Sequence, residues 1–396
     1  MNKPAFLINN LSINRYSAYY SRIFLLPLFY GLLLFIASCD TPEKVLKSTD
    51  IEYKKAKAIS WYNAKEYYKC IPVFEELIGL MKGRQSTEDL YYMYANANYQ
   101  QGDFLIAAYH FKNYYDLYPS NEKAEECLYM HAKSYQRLSP KPDLDQTYTL
   151  KALDAYQLFL TSFPNSKFIK EVNENVSTLR RKLEVKALAA AELYFKMRDF
   201  KASAVCYANI LKQFPDIAQA ELITLMIIKS SYEYAKNSVP NKKSERFLDV
   251  IKKYNEFRSR FAQSKYLAEA GGYEHDSHYH AALSAYEWAE SGPLYLRESN
   301  FNNFFREAHD QMPFISDKKL ADNINQKVEK GFFLIVKSDF QISEEKKTTA
   351  KLPSLQAAVK NYYNFVDKYP KSRYSKEAEK LFNNSTELIK KYKTNG

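Results

Sequence analysis

Glycine is scarce in this sequence, with only 9 Gly among 396 residues against 35 Tyr and 25 Phe. All-β folds and folds built on glycine-rich loops need far more of this turn-forming residue. The many aromatic side chains instead supply bulky packing material between helices. The composition therefore favours an all-α fold.

Short catalytic motifs are also missing. The chain contains no GxxxxGK[ST], GxGxxG, HExxH, GxSxG or paired CxxC pattern, and it has only 6 His. These patterns supply the phosphate loops, metal ligands and nucleophiles of common active sites. We therefore expect a protein that is not an enzyme and that uses no cofactor.

Dense runs of one charge are absent as well. The 57 Lys and Arg residues are interspersed with 46 Asp and Glu residues, which gives a net charge of +11. This surplus favours contact with anionic lipid or acidic partners, but nucleic-acid binding requires a more concentrated basic patch. We expect no nucleic-acid partner.

Cysteine is rare, with 4 in the chain. Cys70, Cys127 and Cys206 are far apart and form no CxxC motif, so they do not make a disulfide framework. We expect these three thiols to be buried as small apolar groups between helices.

The first 38 residues have the layout of a signal peptide. Arg15 and Arg22 precede an apolar run over residues 23–36. This run contains a proline and is shorter than the ~20 residues of a membrane-spanning helix. We predict that residues 1–38 are a lipoprotein signal peptide that is removed.

The segment Ile36-Ala37-Ser38-Cys39 follows and resembles the bacterial lipobox, whose cysteine receives diacylglycerol. Cys39 is therefore predicted to be the mature N-terminus and to carry fatty acyl chains such as palmitate. At ~0.8 kcal/mol per buried CH₂ group, two or three chains give a lasting membrane anchor. Residues 39–49 are predicted to be a linker, and the motif alone does not decide between inner and outer membrane.

Three stretches of the chain align without gaps when each is read from an aromatic residue. An acid follows four residues on, an aromatic five on, a small residue eight on and another aromatic twelve on. The aligned residues are Tyr62, Glu66, Tyr67, Cys70 and Phe74; Tyr99, Asp103, Phe104, Ala107 and Phe111; and Phe195, Asp199, Phe200, Ser203 and Tyr207. The pattern predicts a helix that ends on an aromatic, a tight turn, and a second helix capped by the acid.

Second helices are predicted to end where an aromatic residue precedes proline, because proline disfavours helix at the residue before it. These positions are Tyr118-Pro119, Phe163-Pro164, Phe214-Pro215 and Tyr369-Pro370. We predict a right-handed solenoid of tetratricopeptide-type helix pairs over residues 50–270. Its five units are residues 50–81, 86–118, 121–163, 167–214 and 217–262, and a single long helix is expected over residues 166–196.

A linker is predicted at residues 271–280, where Gly271 and Gly272 precede a histidine-containing stretch. His275, His278 and His280 are residue types that hold zinc or copper. Adjacent histidines in a loop rarely have the surrounding hydrogen bonds that a metal site needs. We therefore favour a polar linker without metal, and metal analysis after dialysis against a chelator would decide between the two.

Residues 281–396 are predicted to be a helical extension made of further repeat units. Ten positions recur at a constant offset of 108 residues, which indicates either a duplication of unit five or a structural echo of it. The pairs are Ile227/Ile335, Lys229/Lys337, Ser230/Ser338, Tyr254/Tyr362, Phe257/Phe365, Phe261/Tyr369, Ser264/Ser372, Tyr266/Tyr374, Glu269/Glu377 and Ala270/Ala378. Because each repeat buries its apolar face against a neighbour, we expect this extension to pack on unit five.

Together, the lipobox, the five extended units and the aromatic-proline helix ends resemble the BamD (YfiO) family of outer-membrane β-barrel assembly lipoproteins. The resemblance covers residues 39–270 and is strongest over residues 190–200 and at Phe214-Pro215. It implies a non-enzymatic scaffold, anchored by lipid at the periplasmic face of the outer membrane. It also implies two partners, which are a BamA-type insertase with POTRA domains and unfolded β-barrel outer-membrane proteins. The segment 271–396 departs from the five-unit length of the family.

Two partner surfaces are predicted on this basis. Trp61, Tyr62, Tyr92 and Tyr99 are candidates for a substrate groove, although packing between helices is the alternative role for most tyrosines. Arg258 and Arg260, in the second helix of unit five, are candidates for the surface that faces the insertase.

A second function remains open. A SusD-like glycan-binding lipoprotein partnered with a TonB-dependent transporter also combines tetratricopeptide helices with a lipid anchor. Such proteins are larger and carry long Gly- and Asn-rich loops, which this sequence lacks. The co-purifying membrane partner would distinguish the two functions.

Overall fold

The computed structural model describes residues 41–81 and 87–394. The predicted signal peptide and Cys39 lie outside these residues. Sixteen α-helices occupy the described ranges, which contain no strand. They are α1 (Pro42–Leu46), α2 (Ile51–Asn63), α3 (Tyr67–Leu80), α4 (Thr87–Gln101), α5 (Phe104–Leu117), α6 (Ala124–Leu138), α7 (Thr147–Ser162), α8 (Ile169–Lys196), α9 (Phe200–Gln213), α10 (Ala220–Lys236), α11 (Pro240–Arg260), α12 (Leu267–Ser291), α13 (Arg297–Gln311), α14 (Lys318–Glu345), α15 (Leu352–Lys368) and α16 (Ser375–Thr394). None of the described helices is both long enough and apolar enough to span a membrane.

Helices pack in consecutive pairs, namely α2 with α3, α4 with α5, α6 with α7 and α10 with α11. Ala191 of α8 likewise packs with Tyr207 and Ile210 of α9. Each of the five predicted unit ranges holds one such pair. The small residues chosen from the alignment lie where the paired helices meet, and Cys70, Ala107 and Ser203 are all fully buried. The predicted fold class, an all-α array of tetratricopeptide-type helix pairs, is confirmed.

The turn between α2 and α3 explains the alignment of the repeats. Lys65 N–H donates to the carbonyl of Tyr62 at 3.0 Å, and Glu66 N–H donates to that of Trp61 at 2.9 Å. These two bonds close the helix end around one left-handed residue. That residue is Lys65, with a φ of 61°.

The same pair of bonds recurs at the other two aligned turns. Their left-handed residues are Gly102, with a φ of 97°, and Arg198, with a φ of 64°. The second helices begin at Tyr67, Phe104 and Phe200, as the alignment predicts.

The predicted capping by the acid is only partly right. Asp199 accepts a hydrogen bond from Ala202 N–H at 3.1 Å, whereas the Glu66 and Asp103 side chains make no cap bond. Glu66 instead pairs with Lys69 Nζ at 2.8 Å, because its longer side chain reaches past the first turn of α3.

The aromatic-proline helix ends are confirmed. Tyr118, Phe163, Phe214 and Tyr369 each occupy the position directly after the last helical residue of α5, α7, α9 and α15. The long helix predicted over residues 166–196 is also present, as α8.

The chain divides into two compact units, residues 1–182 and 183–396. The first is described over residues 41–81 and 87–182. The second unit contains α10 and α11 together with residues 281–396. The boundary between the units therefore lies after residue 182 and not at the predicted residue 270.

The linker predicted at residues 271–280 is wrong, because these residues lie inside α12. Gly271 and Gly272 lower helix propensity, but packing outweighs this cost. Ala270, Ser277, His278 and Ala281 of the same helix are all buried. Tertiary contacts therefore hold the helix together across the two glycines.

The 108-residue offset corresponds to a repeated arrangement within the second unit. Phe257 and Ala270 lie in one buried cluster, and their counterparts Phe365 and Ala378 lie together in another. Helices α10 and α11 with the start of α12 therefore match α14 and α15 with the start of α16.

Candidate binding surfaces

A row of polar and aromatic side chains joins the first helices of successive pairs in the first compact unit. We call this row the tyrosine strip and define it by Tyr62, Tyr92, Asn96, Tyr99, Glu126, Tyr129, Lys133 and Glu171. The strip contains three of the four residues predicted for the substrate groove. Its members come from α2, α4, α6 and α8.

Tyr62 and Asn96 connect α2 to α4. The Asn96 amide donates to the Tyr62 hydroxyl at 2.5 Å. The Tyr62 ring packs edge-on against Tyr67 and Phe74, at centroid distances of 5.9 and 6.2 Å. Burial raises the pKa of Tyr62, so its hydroxyl stays protonated at neutral pH. The ring is thus held by the core while its hydroxyl faces α4.

Tyr92 connects α4 to α6. Its hydroxyl donates to Glu126 Oε1 at 2.9 Å, and Lys123 Nζ lies 4.8 Å from its ring centroid. Burial and the neighbouring Glu126 carboxylate both raise the pKa of Tyr92. Tyr92, Asn96 and Tyr99 follow one another at helical spacing, so they share one face of α4.

Tyr129 and Lys133 continue the strip from α6 to α8. Both donate to Glu171 Oε1, at 2.5 and 3.2 Å. The Tyr129 hydrogen bond and the Lys133 charge lower the pKa of Glu171, which is therefore ionised at neutral pH. The Tyr129 ring stacks on Phe168 at 4.4 Å.

A polar cleft of about 370 Å³ lies at this end of the strip. Its walls are Lys133, Gln136, Arg137, Glu171, Asn175, Thr178, Leu179 and Lys182. Three cations face one carboxylate here, and the Lys182 ammonium donates to Ser139 Oγ at 2.9 Å. Such a cleft offers hydrogen-bond donors to carbonyl or carboxylate oxygens.

Trp61 does not belong to an open groove. It is only 7% exposed and packs among Ala58, Cys70 and Phe74 in a core cluster. Trp61 is adjacent to Tyr62 in sequence, but successive residues of a helix point in different directions. The Trp61 side chain therefore lies on the apolar side of α2. The predicted assignment of Trp61 to the groove is therefore wrong.

Packing between helices accounts for other tyrosines. Tyr91, Tyr94 and Tyr114 are buried. Tyr99 is half-buried and makes an edge contact with Phe104 at 5.2 Å. Tyr62, Tyr92 and Tyr99 of the strip are half-buried and keep part of their surface accessible to a partner, whereas Tyr129 is buried.

Arg258 and Arg260 lie in the other compact unit, on an exposed part of α11. The Arg260 guanidinium lies 5.0 Å from the Phe261 ring centroid. A shallow groove of about 650 Å³ runs along the same helix, past Leu248, Ile251, Asn255 and Arg260. The two arginines are therefore free to meet a partner surface.

The three histidines of the predicted linker point to separate partners. His278 is buried between Gln311 Oε1, 2.6 Å from its Nδ1, and Glu274 Oε1, 3.1 Å from its Nε2. His275 contacts Ser316 Oγ at 3.0 Å, and His280 stacks on a phenylalanine, with its pKa lowered by burial. Within residues 41–81 and 87–394, no group of three His, Cys, Asp or Glu is placed to hold a metal ion.

The three cysteines of the described chain are free thiols. Cys70 and Cys127 are fully buried, and burial raises the pKa of Cys70 to about 12. Cys206 is half-buried against an apolar cluster. The predicted packing role is confirmed for Cys70 and Cys127.

Glu126, Tyr129, Lys133 and Glu171 were not found by sequence reasoning. Their partners lie 34 to 42 residues away, and no motif joins them. The sequence signal that could have identified them is a separation of about one repeat. At that separation, a polar side chain on the first helix of one pair can contact a polar side chain on the first helix of the next pair.

Comparison with known proteins places the first part of this chain in a family. The family described as YfiO, an outer membrane lipoprotein, matches residues 50–244. A putative outer membrane protein assembly factor BamD of Aquifex aeolicus (strain VF5) is 25% identical over 212 residues, which span 53% of this chain and 67% of that protein. Outer membrane protein assembly factor BamD of Rickettsia prowazekii (strain Madrid E) is 21% identical over 150 residues, which span 38% of this chain and 60% of that protein.

Solved structures of tetratricopeptide repeat proteins give weaker likenesses. The TPR2AB domain of yeast Sti1 in a complex aligns with 71% of this chain and 98% of that chain, at 12% identity and a TM-score of 0.27. A tetratricopeptide repeat protein from Parabacteroides merdae aligns with 85% of this chain and 98% of that chain, at 10% identity and a TM-score of 0.24. Residues 50–244 of this chain match the YfiO family of outer membrane lipoproteins.

Proposed function

We propose that this chain is a non-enzymatic assembly factor for outer-membrane proteins, held at the periplasmic face of the outer membrane by lipid on Cys39. The match of residues 50–244 to the YfiO family is the observation that carries this proposal. The two relatives named as BamD assembly factors support it.

The proposed partners are a BamA-type insertase, bound through its POTRA domains, and unfolded β-barrel outer-membrane proteins. We assign the unfolded substrate to the tyrosine strip. An unfolded β-strand presents alternating side chains and unpaired backbone groups. The tyrosine rings of the strip can pack against the side chains of the unfolded strand. The Asn96 amide and the polar cleft near Lys133 can donate hydrogen bonds to its backbone carbonyls.

We assign the insertase to the exposed surface of α11 around Arg258 and Arg260. The groove beside these residues combines apolar side chains, such as Leu248 and Ile251, with a charged rim. Interfaces between folded proteins commonly have this composition. The lipid on Cys39 would raise the local concentration of both partners at the membrane.

Affinity purification from membranes tests the partner assignment. Co-purification of a barrel protein with POTRA domains is the expected result. A TonB-dependent transporter in its place would indicate the SusD-like glycan-binding function instead. Absence of both would contradict the proposed scaffold.

Two sets of variants test the division between surfaces. Arg258→Glu with Arg260→Glu should weaken co-purification of the insertase several-fold and leave binding of an unfolded barrel peptide unchanged. Tyr62→Ala with Tyr92→Ala and Tyr99→Ala should do the reverse. Lys318→Glu with Lys319→Glu, an exposed charge reversal elsewhere in the second unit, is the control. Equal weakening of both partners by both sets would refute separate surfaces.

Lipidation is tested at its own residue. Cys39→Ala should leave the protein unprocessed or released from the membrane, without incorporation of labelled fatty acid. Unchanged membrane fractionation together with labelled lipid would contradict the proposed anchor.

A further inference from the structure

The excess of positive charge that follows the predicted signal peptide is confined to residues 346–396. This segment holds 12 of the 57 Lys and Arg residues but 4 of the 46 Asp and Glu residues. Residues 1–38 hold three basic residues and no acid, so residues 39–345 carry 42 charges of each sign. Such an asymmetry within one chain indicates contact with an anionic partner. The basic segment contains α15 and α16 and lies outside the part of the chain that the family matches.

Four of these cations lie at the turn that joins α15 to α16. All four are exposed, and no acidic residue occurs among residues 368–376. We call this set the cationic turn, and it consists of Lys368, Lys371, Arg373 and Lys376.

The helix pairing itself does not require these four cations. The same four positions, counted from the aromatic residue that ends the helix, exist at four earlier turns of the chain. The turns after Phe163 and Phe261 have two cations each, whereas the turns after Tyr118 and Phe214 have two acids each and no cation. All of them end a helix on the aromatic residue, as the turn after Tyr369 does. The residues compared with the cationic turn are Leu117, Ser120, Glu122 and Glu125; Ser162, Asn165, Lys167 and Lys170; Gln213, Asp216, Ala218 and Glu221; and Arg260, Gln263, Lys265 and Ala268.

Acidic side chains near the cationic turn do not cancel its charge. Asp367 and Glu379 are exposed and flank the turn. Glu377 lies 3.0 Å from Lys337 Nζ of α14, so a cation outside the turn already matches its charge. The remainder of residues 346–396 adds eight cations to four acids, and the positive excess is therefore kept.

A groove of about 510 Å³ lies beside the cationic turn, and none of its lining residues is acidic. Lys368 forms part of its wall, with the ammonium 4.4 Å from the Phe332 ring centroid. The exposed His309 lines the same groove. An anion beside Lys368 therefore meets no carboxylate on this side.

Exposed aromatic surface among the lysines favours a lipid membrane over an acidic protein as the partner. Tyr363 of α15 is 54% exposed, and its ring makes an edge contact with Phe382 of α16 at 5.4 Å. Lys360 lies one helical turn before Tyr363 on the same helix. Clusters of four or more basic residues are typical of surfaces that contact anionic lipid, and neighbouring aromatic rings suit the interface.

We propose that the cationic turn binds the anionic headgroups of a phospholipid membrane. The ammonium and guanidinium groups donate to phosphate oxygens of several lipids at once. This contact is separate from the lipid proposed on Cys39. A single acyl signal and a basic patch together give firmer membrane binding than either does alone.

Co-flotation with vesicles tests the proposal. The protein is the chain from residue 40 onward, which retains every described residue and carries no acyl chain. The vesicles are phosphatidylcholine alone, or phosphatidylcholine mixed with phosphatidylglycerol. At about 0.05 M salt, binding to the mixed vesicles should be about tenfold tighter or more, and about 0.5 M salt should remove the difference. Equal binding to both vesicles, or binding to neither, would overturn the proposal.

Matched variants locate the contact. Lys371→Gln with Lys376→Gln should weaken binding to the mixed vesicles about tenfold or more. Lys318→Gln with Lys319→Gln removes the same charge at exposed positions of α14 and should bind as the parent chain does. Circular dichroism checks that both double variants keep their helices. An equal loss in the two double variants, or unchanged binding after both turn substitutions, would refute this location.

An acidic peptide distinguishes the other class of partner. Polyglutamate should compete weakly with the mixed vesicles, because it lacks an interface for the aromatic rings. Tighter binding of polyglutamate than of the mixed vesicles, lost in the Lys371→Gln with Lys376→Gln variant, would assign the turn to an acidic protein and overturn the proposal. Neither assay contains an insertase or a barrel protein, so failure here leaves the proposed assembly function untouched.

Discussion

The Ser372 hydroxyl donates a hydrogen bond of 2.5 Å to Glu329 Oε1 across 43 residues of sequence. The same hydroxyl accepts from Tyr374 N–H at 3.1 Å, so it joins α14 to the turn that begins α16. The equivalent bond 108 residues earlier runs from Ser264 to Glu221, at 2.7 Å. The offset seen in the sequence is thus a repeated connection between neighbouring helix pairs.

A third serine makes the same connection in the first compact unit. Ser166 Oγ donates to Glu125, and it also accepts from Phe168 N–H at 3.0 Å. At the corresponding turn after Pro119, the Asn121 amide donates to Glu88 at 2.6 Å. A polar residue three positions after the aromatic that ends a helix therefore joins neighbouring pairs at four turns, whereas the position after Phe214 is the buried Ile217.

Removing these hydroxyls should destabilise the fold. Ser264→Ala and Ser372→Ala are each expected to lower the free energy of unfolding by about 1–2 kcal/mol, because the bond has a charged acceptor. Chemical denaturation with urea measures the change. Ser299→Ala, at an exposed position, should change stability by less than about 0.5 kcal/mol. Equal effects at all three positions would show that the serine–glutamate bond contributes nothing specific.

At the left-handed turn residues, introducing glycine and removing glycine should change stability in opposite directions. Lys65 and Arg198 are exposed and have φ values of 61° and 64°, so Lys65→Gly and Arg198→Gly relieve backbone strain. Each should raise the free energy of unfolding by up to about 1 kcal/mol. Gly102→Ala should lower it by about 1 kcal/mol, although a Cβ there meets no atom within 4 Å. Thermal unfolding of the three variants checks the signs, and a loss of stability in Arg198→Gly would contradict the proposed strain.

Local patterns in the sequence were sufficient to predict the helix ends and the class of fold. Aromatic-proline pairs and the aligned acids act within a few residues, so Phe200 and Phe214 could be placed from the sequence alone. Burial depends on neighbours distant in sequence. For that reason the sequence did not distinguish the buried Trp61 from the partly exposed Tyr62, and the part of the strip from Glu126 to Glu171 was missed.

A buried carboxyl gives the second unit a pH dependence. Burial raises the pKa of Asp339 to about 6, Glu298 adds to this effect, and a hydrogen bond of 2.8 Å from Asn361 opposes it. Since the folded state holds this proton more tightly than the unfolded chain does, its stabilising contribution is lost as the pH rises from about 4 through 6.

Asp339→Asn should therefore raise the free energy of unfolding at pH 7 by about 2 kcal/mol and have little effect near pH 4. The amide oxygen of the new residue can still accept from Asn361. Unfolding curves at both pH values measure the difference. Asp310→Asn, at an exposed position, is the control, and an equal gain at both pH values would contradict the titration of Asp339.

Two glycines inside helices should respond oppositely to alanine, because their surroundings differ. Gly331 of α14 is packed against phenylalanine rings, and an added Cβ would stand 2.9 Å from Phe305 Cε1 and 3.0 Å from Phe301 Cδ1. The Phe305 ring is itself stacked on Phe332 at 4.2 Å, so it has little room to move. Overpacking of this kind costs about 1–3 kcal/mol, which exceeds the gain of about 1 kcal/mol in helix propensity.

Gly272 of α12 provides the matched comparison. A Cβ there meets no atom within 4 Å, so Gly272→Ala should gain the helix propensity alone and raise the free energy of unfolding by about 0.5–1 kcal/mol. Gly331→Ala should lower it by about 1–2 kcal/mol. Urea denaturation of both variants measures the contrast. Stabilisation by Gly331→Ala would show that the Phe305 ring yields, and destabilisation by Gly272→Ala would contradict a continuous helix through residues 271–280.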